Sequence, residues 1–289
     1  PPIGPIAPTA HDMQREHKVQ NSLNKLFPLA PKSIHFCEDT KIIGANFHII
    51  ERRKGYVIRK IFPNFVNLNQ SYINELSFNS IDVLASLHLI KPCEVGLEGL
   101  GKPDGFVERQ LNGWEDRWKK SANKEQLKIV FDNVIKNLRQ KMPKPQSVSI
   151  LHNDFKWDNI MWNFDKPSEP IAIFDWDMST LGDPLMDLGH MLNYWIDDQD
   201  PIESQLITSM PLQQIVYPRK SEIINYYSKK TGFDVENINW YYAFGAFKLA
   251  VILQQIFIRF LKGQTKDKRF ANFDKRIEAL IKRANNIKI

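Results

Sequence analysis

The stretch "WYYAFGAFKLAVILQQIFIRFL", Trp240 to Leu261, constrains this chain more than any other. It is long and apolar enough to cross a bilayer, or else it is the central helix of a large helical core. Lys248 sits in its middle, followed by Gln254, Gln255 and Arg259. A single charge at the centre of a spanning helix costs about 2.5–3.5 kcal/mol on insertion scales. The stretch therefore reads as a buried helix of a soluble lobe, and no membrane partner is expected.

A helix of that kind needs other helices around it, and the sequence supplies them. Tyr72 to Leu89 and Lys124 to Arg139 have helical apolar spacing, and after "GDP" at residues 182–184 the chain reads as helix almost to its end. Near the start, "TAHDMQREHKVQNSLNKLF" places Met13, Val19, Leu23 and Leu26 on one side of a helix with Thr9 as N-cap. The next stretch, "SIHFCEDTKIIGANFHIIERRKGYVIRKIF", breaks into short β-rich runs. A small sheet followed by a helical part with one embedded strand pair, "SVSIL" and "PIAIF", is an α+β order.

With 289 residues the chain has room for one large domain or two lobes. A hydrophobic share of 43% excludes extensive disorder. The net charge of +6 comes from lysines interleaved with acids, which suits solvated helix faces and not a nucleic-acid surface. Cys37 and Cys93 are the only cysteines, too few for a disulfide framework or a thiolate metal site, so a reducing, cytoplasmic setting is expected. The chain opens "PPIGPIAPTA" without Met and shows no signal peptide, so it is expected to begin inside a longer natural sequence.

Two segments resemble phosphate chemistry. "GLEGLGKP", residues 96–103, matches G-x-x-x-x-G-K, but Pro103 stands where a P-loop needs a hydroxyl for Mg²⁺, so it reads as a surface loop. "LHNDFKWDNIMWN" is stronger. His152, Asp154, Lys156 and Asn159 follow H-x-D-x-K-x-x-N, and Asp175 ends an apolar strand about twenty residues later, an order shared with the kinase signature set. Phosphoryl transfer needs a carboxylate at the attacking hydroxyl, hard oxygen ligands for Mg²⁺, and a cation to offset charge on the group in flight. Asp154, the pair Asn159 and Asp175, and Lys156 can fill those roles. "GDPLMDLG" adds Asp183 as a helix N-cap with Pro184 at the first helical position.

Together "LHNDFKWDNIMWN" and "IFDWDMSTLGDPLMDLG" resemble the aminoglycoside phosphotransferase and choline kinase-like group, within the protein-kinase-like fold. "AHDMQREHKV", "FHIIERRKG", "GFVERQLNGWEDRW" and "FGAFKLAVILQQIFIRF" resemble the branch found alone in bacteria or fused to acyl-CoA dehydrogenases, so the likeness covers nearly the whole chain. It implies a two-lobed fold: residues 1–53 as a partial N-terminal lobe and 54–289 as a helical C-terminal lobe carrying the catalytic loop and acceptor site. It implies ATP and Mg²⁺, with Asp154 as catalytic base and Asn159 and Asp175 as metal ligands. Lys156 would contact phosphate, and His152 and Asp187 would support the loop. Ile50, Glu51 and Arg52 would offer backbone groups to adenine, Met161 and Phe174 would form its apolar floor, and Glu16 would pair with a phosphate-anchoring lysine. Here the chain departs from the pattern, because only fifteen residues precede Glu16 and none is Lys.

Arg109, Trp114, Trp118, Tyr194, Trp195 and Tyr241 are the candidates for an acceptor pocket. The expected activity is transfer of the ATP γ-phosphoryl group to a hydroxyl of a small molecule. The resemblance to domains fused with acyl-CoA dehydrogenases implies a hydroxyacyl thioester or hydroxy acid as acceptor, and no acidic pocket suited to an aminoglycoside or amino alcohol is evident. A non-catalytic nucleotide-binding module and a phosphohydrolase with His152 as metal ligand are the alternatives.

Overall fold

The structure is a computed structural model that describes residues 12–121, 125–213 and 215–289. Its N-terminal part is α1 (Met13–Leu23), β1 (Ser33–Cys37), α2 (Thr40–Ile43) and β2 (Phe47–Ile50). The expected cap Thr9 lies outside the described residues. Asp12 caps α1 instead, its side chain accepting the Arg15 N–H. Strands β1 and β2 pair antiparallel, Ser33 opposite Ile50 and Cys37 opposite Phe47, with an irregularity between Ser33 and His35.

The linker 51–55 leads into β3 (Tyr56–Val57). Gly55 is required there by close approach: a Cβ would lie 2.4 Å from the Trp162 carbonyl oxygen. Then come α3 (Gln70–Leu89), α4 (Phe106–Ser121) and α5 (Glu125–Gln140). The "GLEGLGKP" segment is a loop ahead of α4, with Leu97 and Leu100 buried, as its Pro103 suggested.

The embedded strands form two small sheets. β4 (Ser149–Leu151) pairs with β7 (Thr180–Gly182), while β5 (Ile160–Trp162) and β6 (Pro170–Ile173) form a hairpin whose outer edge takes β3. Helices α6 (Leu185–Met191), α7 (Lys220–Thr231), α8 (Ile238–Leu261) and α9 (Phe273–Asn286) complete the chain. α6 begins at Leu185, one residue later than the sequence suggested, with Pro184 in the cap position. The Asp183 carboxylate still accepts the Leu185 N–H at 2.9 Å, because the proline ring leaves that N–H as the first free donor.

α8 packs between α4, α6 and α9, and its central residues from Ala243 to Val251 are buried. It is long and apolar enough to cross a membrane, but these helices cover its central part, while its apolar residues from Ile252 to Leu261 are mostly only partly covered. Gly189 and Gly245 permit the α6–α8 crossing: a Cβ on Gly189 would stand 2.4 Å from the Tyr241 carbonyl carbon, and one on Gly245 2.9 Å from the Gly189 carbonyl oxygen. Small residues at this crossing bring the middle of α8 against the segment that follows β4. The fold is protein-kinase-like, with small sheets and a mainly helical C-terminal part.

Candidate active site

Only two non-glycine residues among those described have positive φ, Asn153 at 66° and Asp175 at 71°. Asn and Asp tolerate the left-handed region better than most residues, and such turns persist only where neighbours hold them. Asn153 is held on several sides. Asp187 accepts the His152 N–H at 2.6 Å and the Asn153 N–H at 2.7 Å, while the Asn153 side-chain amide donates to the Met178 carbonyl at 2.9 Å. Asp187 is itself buried and anchored by His88 at 3.2 Å, which meets the Tyr227 hydroxyl at 2.6 Å on its other side. Burial alone would raise the Asp187 pKa; the His88 bond and charge, with the backbone donor, outweigh it and bring it down.

Asp154 follows that turn. Its Oδ2 accepts from Lys156 Nζ at 2.6 Å and from the Asn159 amide at 3.2 Å, and the same amide donates to the Asp154 carbonyl at 2.9 Å. Oδ1 faces His190 Nε2 at 3.9 Å, beyond hydrogen-bond reach, and burial followed by the charge of Lys248 lowers the pKa of that imidazole. Desolvation pushes the Asp154 pKa up, but His190 and Lys156 overcome it and hold the carboxyl well below the ordinary range. The base-like oxygen is therefore kept ionised, with one oxygen saturated and the other turned toward α6.

Asp175 is tied to the same loop through its neighbour. The Phe174 N–H donates to the Asn159 carbonyl at 2.9 Å, and the Phe174 carbonyl lies 2.9 Å from His152 Nε2. With the Asp154 N–H 3.3 Å from His152 Nδ1, both ring nitrogens of this fully buried histidine are engaged internally. That leaves His152 no lone pair for a metal. Burial raises the Asp175 pKa, and the Asp154 and Asp177 carboxylates raise it further. Asn159 spends its amide nitrogen on Asp154, which leaves its side-chain oxygen as an acceptor. Two hard oxygen donors in a surplus of negative charge fit Mg²⁺, which takes one or two protein ligands and fills its shell from phosphates and water.

Glu16 also enters this half of the cleft. Its carboxyl accepts the Trp176 backbone N–H, faces His48 Nε2 at 3.6 Å, and is pushed up to about 7, chiefly by burial and then by Asp177. Met161 and Phe174 are half-buried on the β5–β6 hairpin. Ile50 ends β2 and Arg52 is exposed in the linker. The Glu51 N–H is already committed to the Lys32 carbonyl at 2.8 Å, so of the three linker residues Glu51 offers adenine no donor.

The six acceptor candidates divide. The Tyr194 ring lies 5.5 Å from Lys156 Nζ and packs edge-on to His190, and Trp114 has Lys248 Nζ 5.9 Å and the Arg117 guanidinium 4.6 Å from its ring centre. The other four are committed elsewhere. Trp118 stacks on Phe131, Trp195 bonds the Pro218 carbonyl and packs on Trp157, and Tyr241 is buried against α6. Arg109 turns back to the Asp104 and Lys102 carbonyls. His190, Lys248 and Arg117 were not foreseen as site residues; the one signal for Lys248 was its isolation in an apolar helix.

The model of the phosphotransferase enzyme family matches residues 3–208. Human acyl-CoA dehydrogenase family member 11 is 31% identical over 268 residues, which is 91% of this chain but 33% of that protein. The chain thus spans about a third of the length of the curated relatives it matches. Among solved structures, a Ralstonia eutropha protein provisionally assigned as an aminoglycoside phosphotransferase superposes with a TM-score of 0.80 at 26% identity, covering 98% of this chain and 85% of that one. A thermostable mutant of aminoglycoside phosphotransferase APH(4)-Ia, in a ternary complex with AMP-PNP and hygromycin B, shares the fold at TM-score 0.58 and 12% identity, over 95% and 84% of the two chains. Match length, fold and the order of the catalytic segment agree: the chain belongs to the phosphotransferase enzyme family.

Proposed function

We propose that the chain is a small-molecule kinase that moves the γ-phosphoryl group of ATP to a hydroxyl of its acceptor. The observation that carries this reading is Asn159: its side-chain amide donates to Asp154 and its backbone carbonyl accepts the Phe174 N–H, which ties Asp154, Asn159 and the residue before Asp175 together. Asp154 Oδ1 orients the acceptor hydroxyl and takes its proton as the acceptor O–P bond forms and the bond from the γ-phosphorus to the bridging oxygen breaks, ADP leaving with that oxygen. Lys156, bonded to Oδ2, holds the carboxylate and places a positive charge beside the transferring group. Asn159 and Asp175 would hold Mg²⁺, which when bound neutralises charge on the phosphates. Glu16, the Ile50–Arg52 linker, Met161 and Phe174 line the nucleotide side. Most of the rate then comes from positioning and electrostatics. The AMP-PNP bound to the APH(4)-Ia fold relative supports ATP as donor.

The acceptor side of Asp154 carries Lys156 and the exposed Arg117 with the rings of Trp114 and Tyr194. Such a wall repels polycationic aminoglycosides and suits an acceptor with a carboxylate or thioester carbonyl near its hydroxyl. The acyl-CoA dehydrogenase names of the relatives point the same way. The engagement of both His152 nitrogens weighs against the phosphohydrolase alternative. An acceptor screen with Mg·ATP, reading ADP release, tests the proposal. Hydroxy acids and hydroxyacyl thioesters should turn over; phosphate release independent of any acceptor would defeat it.

A further inference from the structure

Lys248 is 4% exposed in the middle of the most apolar helix of the chain. A buried ammonium loses several kcal/mol of hydration or surrenders its proton unless partners compensate it. A Met or Leu would fill the same space without that cost, so the charge needs its own explanation. Its partners lie on the catalytic segment: Nζ donates to the Asn153 carbonyl at 3.2 Å. The charged and titratable groups facing it are Asp154 and Lys156 from the loop, Asp187 and His190 from α6, and Arg117 from α4. Burial lowers the lysine's proton affinity, while Asp187 and Asp154 act to raise it.

The bonded carbonyl belongs to the peptide immediately before Asp154. Asn153 has φ 66°, and its N–H is fixed by Asp187 from the α6 side. With its carbonyl held from the α8 side, the left-handed turn is gripped at both ends by two helices that cross at Gly189 and Gly245. We infer that Lys248 is a positioning residue of the transfer site, clamping the Asn153 carbonyl and so setting the direction in which Asp154 presents its free oxygen to the acceptor. What Asp154 does there rests on the kinase reading; the clamp does not.

The test compares Lys248→Met with Lys248→Arg in the whole chain. Amide hydrogen exchange over residues 151–159, followed by mass spectrometry, needs no acceptor. Exchange there should accelerate about tenfold in the Met variant, stay near the wild-type rate in the Arg variant, and leave the β5–β6 hairpin and α9 unchanged. With Mg·ATP and an acceptor that the wild type turns over, the Met variant should lose roughly 30-fold in kcat at a nearly constant KM for ATP, with Arg recovering most of it. Unaltered exchange over 151–159 in folded Lys248→Met, or equal losses in both variants, overturns the clamp. If Met does not fold, Lys248→Gln takes its place; if neither uncharged variant folds while Arg does, the lysine supports the whole fold and the clamp is again overturned. A wild-type chain that transfers no phosphate defeats the kinase reading, and the exchange measurement still decides the clamp.

Discussion

The acceptor half and the nucleotide half of the cleft use the same residue type under opposite charge. Around Asp154 stand Lys156 at 2.6 Å and His190 at 3.9 Å, with Lys248 close behind, and its carboxyl is held low. Around Asp175 stand Asp154 and Asp177, with Glu16 close by, and its carboxyl is pushed up. One aspartate is fully compensated by the chain itself, as a base that must stay ionised requires. The other is pushed up by burial first and then by its two acidic neighbours, and His152 and Lys156 offset this only in part, so an added cation would relieve it further. The contrast matches the roles proposed for the two carboxylates, one handling a proton and the other holding a metal.

The largest effects should come from breaking this contrast at its two poles. Asp154→Asn keeps the shape and removes the charge. Turnover should fall by about 10²–10⁴, the usual worth of a positioned base, with the Kd for Mg·ADP unchanged by calorimetry. A loss of nucleotide affinity in that variant would place Asp154 on the wrong side of the cleft. Asp175→Asn should instead abolish the Mg²⁺ dependence of nucleotide binding along with turnover. It should also raise Tm at pH 7–8 in the absence of metal, because a carboxyl with a raised pKa costs folded stability above that pKa and its amide does not. A variant that melts lower without metal would mean that Asp175 is compensated after all.

Much of both poles was legible in the sequence because their spacing is local: His152, Asp154, Lys156 and Asn159 fall within one loop, and Asp175 follows the hairpin that begins there. What was not legible depends on distance. Lys248 reads as an argument against a membrane, since nothing local says that its target is Asn153, far back in the chain. His190 reads as one more residue of a helix until α6 is seen beside Asp154. Trp118, Trp195 and Tyr241 were acceptor candidates by residue type, yet a large helical core consumes aromatic side chains first. The left-handed turns at Asn153 and Asp175 carry only the weak signal that Asn and Asp allow them.

The smallest predicted effect probes the nucleotide pole through Glu16. Its pKa near 7 lies above the ordinary carboxylate value, so between about pH 4.5 and 7 the folded chain binds a proton that the unfolded chain has released. Stability from this group is therefore lost as pH rises through that window, and the penalty is complete above it. Glu16→Gln removes the titration. The variant should melt a few degrees above wild type at pH 8, for a gain of roughly 1–3 kcal/mol. The difference should vanish well below pH 4.5, where wild-type Glu16 is protonated in both states. Because the excess comes from burial and from Asp177 and Asp175, Mg²⁺ with ADP should shrink the pH 8 gap, whereas an acceptor analogue should leave it alone. Parallel melting curves for the two proteins across this range would show that Glu16 is paired within the chain, and that the nucleotide half is as compensated as the half around Asp154.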